Sequence, residues 1–178
     1  HQTNDISGNG QTLEQSLEQS DNNPISVSVI NYGPSLNQSN LIHVPPVHEL
    51  GYTGENVLIA SFDAGFDNLQ HTCFDRIREK GLRSYDFVNG DSIVANDTGR
   101  MGNGAHGTQT LSLICGFDPG WLISPAFDAE IILAKTENTE SETPLEEDNW
   151  IAAAEWADSL GADIITSSLT YLAFSNPY

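Results

Sequence analysis

Positive charge is what this sequence has least of. Six Lys and Arg stand against 25 Asp and Glu in 178 residues, a formal net charge of −19 at pH 7. Four of the six (Arg76, Arg78, Lys80 and Arg83) fall in one short stretch. Such a surface repels phosphate backbones, which argues against nucleic-acid binding and suits a protein working outside the cytoplasm, on cationic substrates or near calcium. Long apolar runs are also missing, so neither membrane insertion nor a signal peptide is expected. His1 in place of Met suggests processing upstream or an expression boundary. Cysteine is scarce, with only Cys73 and Cys115. His43 and His48 therefore have no cysteine or carboxylate at ligand spacing, and packing or surface roles are expected for them rather than metal. There is no Gly-x-Ser-x-Gly elbow, and Ser112 and Ser168 fall inside predicted regular elements, so no serine here has the setting of a nucleophile.

What is present is one domain's worth of chain. Residues 1–24 are Gln, Asn, Ser, Asp and Gly with few apolar anchors, which predicts a polar leader or linker with too little to bury against its ordering entropy. Residues 25–178 form the folded part. Ile25, Val27, Val29 and Tyr32 are strand-like, and a short helix is expected over 41–50. The apolar run 57–62 has the pattern of a strand buried on both faces. A turn of helix is expected over 74–80, a strand over 85–88 and a polar loop over 89–104. Residues 131–134 read as a strand. Thr143-Pro144-Leu145-Glu146 reads as a helix start, with proline at the first helical position and Glu three residues after the capping residue. Trp150, Ala153, Ala154, Ala157 and Leu160 recur at helical spacing until Gly161. The acids Glu146, Glu147, Asp148, Glu155 and Asp158 are expected on the solvated face, with a calcium site as the alternative. Residues 164–169 read as a buried parallel strand. The sum is an α/β chain with a mostly parallel sheet covered by helices.

Two stretches carry chemistry. Asp63 ends the strand-like run Val57-Leu58-Ile59-Ala60-Ser61-Phe62, which puts a carboxylate at a strand's C-terminal edge, where open α/β sheets place their sites. Gly102-Asn103-Gly104-Ala105-His106-Gly107-Thr108 delivers His106 to the first turn of a helix. There the unpaired N–H groups and the helix dipole disfavour a second positive charge and favour a neutral imidazole, which can act as a base. Either stretch alone is also the pattern of an ordinary turn or a capped helix.

Together they resemble the Asp and His boxes of the subtilisin-like serine proteases, 43 residues apart and in that family's order. Gly51-Tyr52-Thr53-Gly54-Glu55-Asn56-Val57 is similar to the entry into that family's first core strand. Ser124-Pro125-Ala126-Phe127-Asp128-Ala129 is similar to its "APDA" segment, and Asp163-Ile164-Ile165-Thr166-Ser167-Ser168-Leu169 to its substrate-lining strand. Ala64, Gln109 and Thr170 depart from its usual residues. The resemblance implies a three-layer subtilisin-like fold, incomplete in this chain. It implies a serine endopeptidase using an Asp-His-Ser triad, with Asp63 orienting His106 as general base. It also implies substrate contacts at Gly104, Ser168, Leu169 and Thr170, where a polypeptide could pair along the strand edge. Each of these side chains equally fits an ordinary core strand or loop.

The family's nucleophile box, Gly-Thr-Ser-x-Ala-x-Pro, does not occur in the 178 residues, nor does its Asn-bearing oxyanion segment. Two triad members are therefore expected here, with Ser and the oxyanion Asn on a complementary C-terminal chain or a continuation, and this chain alone inactive. A catalytically dead subtilisin-like binding module is the alternative. No cofactor is required for the chemistry, and a structural calcium ion is left open. The same resemblance brings the regions of Cys73 and Cys115 together, which implies a disulfide closing a loop of about 40 residues and adding roughly 3 to 4 kcal/mol in an oxidising compartment, against the alternative of two buried thiols. The segment 173–178 reads as a loop of the kind that tolerates nicking, in keeping with a secreted, two-chain enzyme.

Overall fold

The structure, a computed structural model, describes residues 30–96 and 104–171. The leader at 1–24, the strand-like residues Ile25, Val27 and Val29, and the segments 97–103 and 172–178 lie outside them. Helix α2 (Val44–Glu49) lies within the short helix expected over 41–50, and α1 (Leu36–Leu41), which was not expected, precedes it. The break comes at His43, held in the left-handed region at φ 58, where a helix cannot continue. Pro45 then fits the first turn of α2, where no N–H is needed.

Strand β1 (Leu58–Asp63) is buried at every residue after Leu58. A loop, the short helix α3 (Asp75–Glu79) and strand β2 (Arg83–Asp86) follow. Helix α4 (Gly104–Cys115) leads into a small antiparallel ribbon, β3 (Phe117–Asp118) with β4 (Leu122–Ile123). Strand β5 (Glu130–Lys135), helix α5 (Leu145–Ser159) and strand β6 (Ile164–Ser167) complete a βαβ unit. The four longer strands make one parallel sheet in the order β2-β5-β1-β6.

Alternation along the two central strands assigns their side chains to opposite layers. Ile59, Ile131 and Leu133 pack with Ile77 of α3, Leu111 and Cys115 of α4, and Phe66 and Phe74 of the loop between β1 and α3. Ala60, Phe62, Ile132 and Ala134 pack with Ala153 and Ala157 of α5, and Trp150 meets Phe62 edge to face. These are the three layers, helix, sheet and helix. A smaller cluster of Tyr32, Val44, Ile123 and Phe127 joins α2 to the ribbon. His48 is buried inside it, with Nδ1 2.6 Å from the Tyr32 hydroxyl and Nε2 2.9 Å from the Pro125 carbonyl, which makes it a packing residue, while His43 is exposed.

Several boundaries differ from the sequence reading. β2 ends at Asp86 rather than running to residue 88, because the Asp86 carboxylate accepts the Val88 and Asn89 amides at 2.8 Å each and turns the chain. Asp86 also faces Lys135 Nζ at 3.2 Å, both side chains wholly buried. Thr143 makes no side-chain cap; its carbonyl accepts the Glu146 amide at 3.1 Å, and α5 starts at Leu145. β6 stops at Ser167, two residues short of the strand read over 164–169. Among the described residues it pairs only with β1, so Ile164 and Ile165 stay 49 % and 40 % exposed at the edge of the sheet.

Candidate active site

The carboxyl end of β1 and the first turn of α4 meet at one point. Asp63, the last residue of β1, is 1 % exposed, and a carboxylate that buried must be given donors. Its Oδ1 accepts the Ala64 amide at 2.7 Å and faces His106 Nδ1, also at 2.7 Å. Its Oδ2 accepts the Thr110 hydroxyl at 3.0 Å. An ionised carboxylate only accepts, so Nδ1 carries the ring proton and Nε2 is left as the basic nitrogen. The His106 side chain is 48 % exposed against 1 % for Asp63. The arrangement is a buried carboxylate behind a half-exposed ring.

Gly107 is what lets the helix come this close. A Cβ there would lie 2.1 Å from the Gly65 carbonyl oxygen and 3.0 Å from Asp63 Cβ, so any side chain would push α4 off β1. Gly65 itself, at φ 135, turns the chain directly after Asp63. The start of α4 is fixed from the other side by Asp67. The Thr108 hydroxyl donates to the Asp67 carbonyl at 2.6 Å, and the Asp67 amide donates to the Gly104 carbonyl at 3.2 Å. Asn96 ties the neighbouring loop in, its amide donating to Asp67 Oδ1 at 2.7 Å and its side-chain NH₂ to the Ala64 carbonyl at 3.2 Å.

Asp63 and His106 are thus brought together, and the other expected residues sort differently. Ser168, Leu169 and Thr170 run just past β6, with Ser168 and Thr170 exposed and Leu169 half-buried. Because Ser167 pairs with Phe62, Ser168 comes level with Asp63. Gly104 is buried, and a Cβ on it would lie 2.3 Å from the Asp67 carboxyl carbon, so it serves the close seating of α4. His71 accepts the Cys73 amide at 3.2 Å and opens the turn before α3, a structural role. Cys73 and Cys115 are not bridged: both are free, buried thiols in the layer under α4. The Cys115 thiol donates to the Leu111 carbonyl at 3.4 Å, and burial pushes it up to about 12. Among the described residues no serine hydroxyl bonds His106, no helix is long and apolar enough to cross a membrane, and no group of three or more ligating side chains could hold a metal ion.

Thr110 escaped the sequence reading, although it lies one helical turn after His106 and so shares its face. A second group was misplaced. Glu146, expected on the solvated face of α5, is 2 % exposed and stands against Glu137, which follows β5 and is itself buried. Burial above all, then the charges of Glu137 and Glu142, pushes the Glu146 carboxyl up to about 7. Burial likewise raises Glu137, whose carboxylate accepts the Tyr171 hydroxyl.

Comparison with protein-family models gives no match, and comparison with curated protein sequences gives none either. Solved structures do match. MycP1 from the ESX-1 type VII secretion system superimposes with a TM-score of 0.58 at 17 % identity over 83 % of this chain and 39 % of that one. MycP3 protease from the type VII (ESX-3) secretion system gives 0.54 at 17 %, over 82 % and 38 %. MycP1 with its N-terminal propeptide removed gives 0.54 at 19 %, over 72 % and 36 %. The chain therefore spans less than two fifths of the length of these structures. At such identities the likeness concerns the backbone alone, and what it establishes, together with the parallel sheet between two helical layers, is a subtilisin-like α/β fold.

Proposed function

We propose that this chain supplies the acid and the base of a serine endopeptidase acting on polypeptides, and that the serine and the oxyanion donor come from a complementary C-terminal chain or a continuation. The observation that carries the reading is the 2.7 Å contact of His106 Nδ1 with a buried Asp63 that two further donors hold in place. With Nδ1 tied down, Nε2 takes the proton of the incoming serine hydroxyl as its oxygen attacks the peptide carbonyl. Asp63 stabilises the imidazolium so formed, and Nε2 returns the proton to the leaving amine. The chemistry calls for no cofactor, since a neighbouring base is enough to activate a serine. Ser168, exposed and level with Asp63, and the exposed Thr170 beyond it support pairing with an extended substrate. The acidic surface and the likeness to secretion-system proteases support a place outside the cytoplasm.

The test is peptide hydrolysis by the full-length protein. Asp63→Asn keeps the side-chain shape but favours the wrong ring tautomer, and should lower kcat by about 10⁴ with the fold intact by circular dichroism. Activity within about tenfold of wild type would sink the assignment. Tight binding of peptides without cleavage by the unaltered protein would favour the inactive binding module.

A further inference from the structure

Two buried carboxyl groups in contact pose a problem of charge that the Asp63–His106 pair does not explain. Glu137 follows the end of β5 and Glu146 lies in the first turn of α5; they are 7 % and 2 % exposed. Glu137 has one strong donor, the Tyr171 hydroxyl. Neither Glu146 oxygen has any, although the Thr143 and Asn138 amides stand close enough to ease its ionisation a little. The carboxyl–carboxyl contact becomes a hydrogen bond only when one partner carries a proton.

The surroundings do not relieve the pair. Glu142, on the loop between β5 and α5, and Asp63, at the end of β1, both act on it as negative charges. Lys135, two residues before Glu137, is turned to Asp86. Tyr171 adds a neutral donor from the chain after β6, and its own hydroxyl is pushed up, chiefly by burial, so it stays a donor. Ionising both of two adjacent carboxyls at low dielectric is costly, so the pair keeps one proton until the pH nears neutrality. Glu146 as the acid then donates to Glu137, and Glu137 as the carboxylate accepts from both Glu146 and Tyr171.

Tyr171 closes the segment 168–170, whose first residue is level with Asp63. We infer that Glu137 and Glu146 share a single proton and, through Tyr171, hold the segment 168–170 in place beside the Asp63–His106 pair, as positioning residues for the bound peptide. The positioning role rests on the proteolytic reading; the shared proton does not. Loss of the proton sets two charges against each other under α5, loosens the Tyr171 anchor and weakens peptide binding without touching the acid and base themselves.

The experiment uses the full-length protein carrying carbon-13 at its glutamate carboxyls, titrated by NMR alongside peptide hydrolysis from pH 5 to 9. One glutamate should titrate near neutrality, vanish in Glu146→Gln and move upward in Tyr171→Phe, which removes a donor from the carboxylate form. KM should rise by roughly fivefold or more across the same transition, with kcat following its own profile. Glu146→Gln, whose amide can still donate to Glu137 but cannot ionise, should remove the pH transition from KM. Absence of a neutral-range carboxyl, or a KM profile in Glu146→Gln that still tracks the wild type, overturns the inference. If the full-length protein cleaves no peptide, the proteolytic reading and the positioning role fall together, while the NMR titration separately decides the shared proton.

Discussion

Gly107 shows how much one missing side chain can carry. Its role was hidden in the sequence, where His106-Gly107-Thr108 is equally the start of an ordinary helix. Only the fold reveals that a Cβ would meet the Gly65 carbonyl oxygen at 2.1 Å. Backbone cannot step aside as a flexible side chain can, so Gly107→Ala must tilt α4 and pull His106 from Asp63. The expected result is a loss of kcat/KM on the order of 10²-fold from the displaced ring, with far-ultraviolet circular dichroism unchanged; full activity would mean that the helix has more slack than its packing shows. Asp63 and His106 were legible because each lies at an element boundary with a pattern of its own, a buried run on one side and a glycine-loosened helix start on the other. Glu146 was misread for a different reason. Counting from Trp150, Ala153 and Ala157, it falls on the buried stripe of α5, and the pattern says so. A first-turn carboxylate ordinarily faces solvent, and here the helical periodicity outweighs that tendency and buries Glu146.

Among the elements, the long apolar runs declared themselves and the turns did not. β1, β5 and α5 follow from hydrophobic periodicity, whereas the end of β2 depends on the Asp86 carboxylate capturing two amides, which composition does not announce. The same residue binds β2 to β5 through Lys135, with neither side chain exposed. Removing one member of a buried pair strands the other, at a typical cost of about 3 to 5 kcal/mol. Lys135→Met should fall at the lower end of that range, since Asp86 keeps its amide donors, and urea denaturation of the full-length protein would measure it. A loss below about 1 kcal/mol would show that the amides alone neutralise Asp86. β6 has the composition of a strand buried in a complete sheet, yet among the described residues β1 is its one neighbour. Its position depends on which strands flank it, and that information is not local to residues 164–169.

At the scale of the whole molecule, the acid pair gives stability a pH dependence of definite sign. Glu146 is raised from the ordinary 4.5 to about 7, and Glu137 moves the same way. Between those values the folded chain holds a proton that the unfolded chain has released. The stabilising contribution is therefore complete below about pH 4.5, declines as pH rises to about 7 and is lost above it. Thermal midpoints of the full-length protein should fall by several degrees across this window, and Glu146→Gln should flatten the curve; a midpoint that climbs from pH 4.5 to 7 in wild type and variant alike would contradict the account. Burial has a separate consequence at Cys115. Its thiol lies between α4 and the sheet, is pushed up to about 12 and donates to Leu111, so almost none of it is thiolate at neutral pH and no reagent can reach it in the closed molecule. Alkylation of Cys115 must wait for the layers to part. Its rate would then act as a clock for how often α4 lifts from the sheet, reporting the free energy of that breathing motion from a single native sulfur.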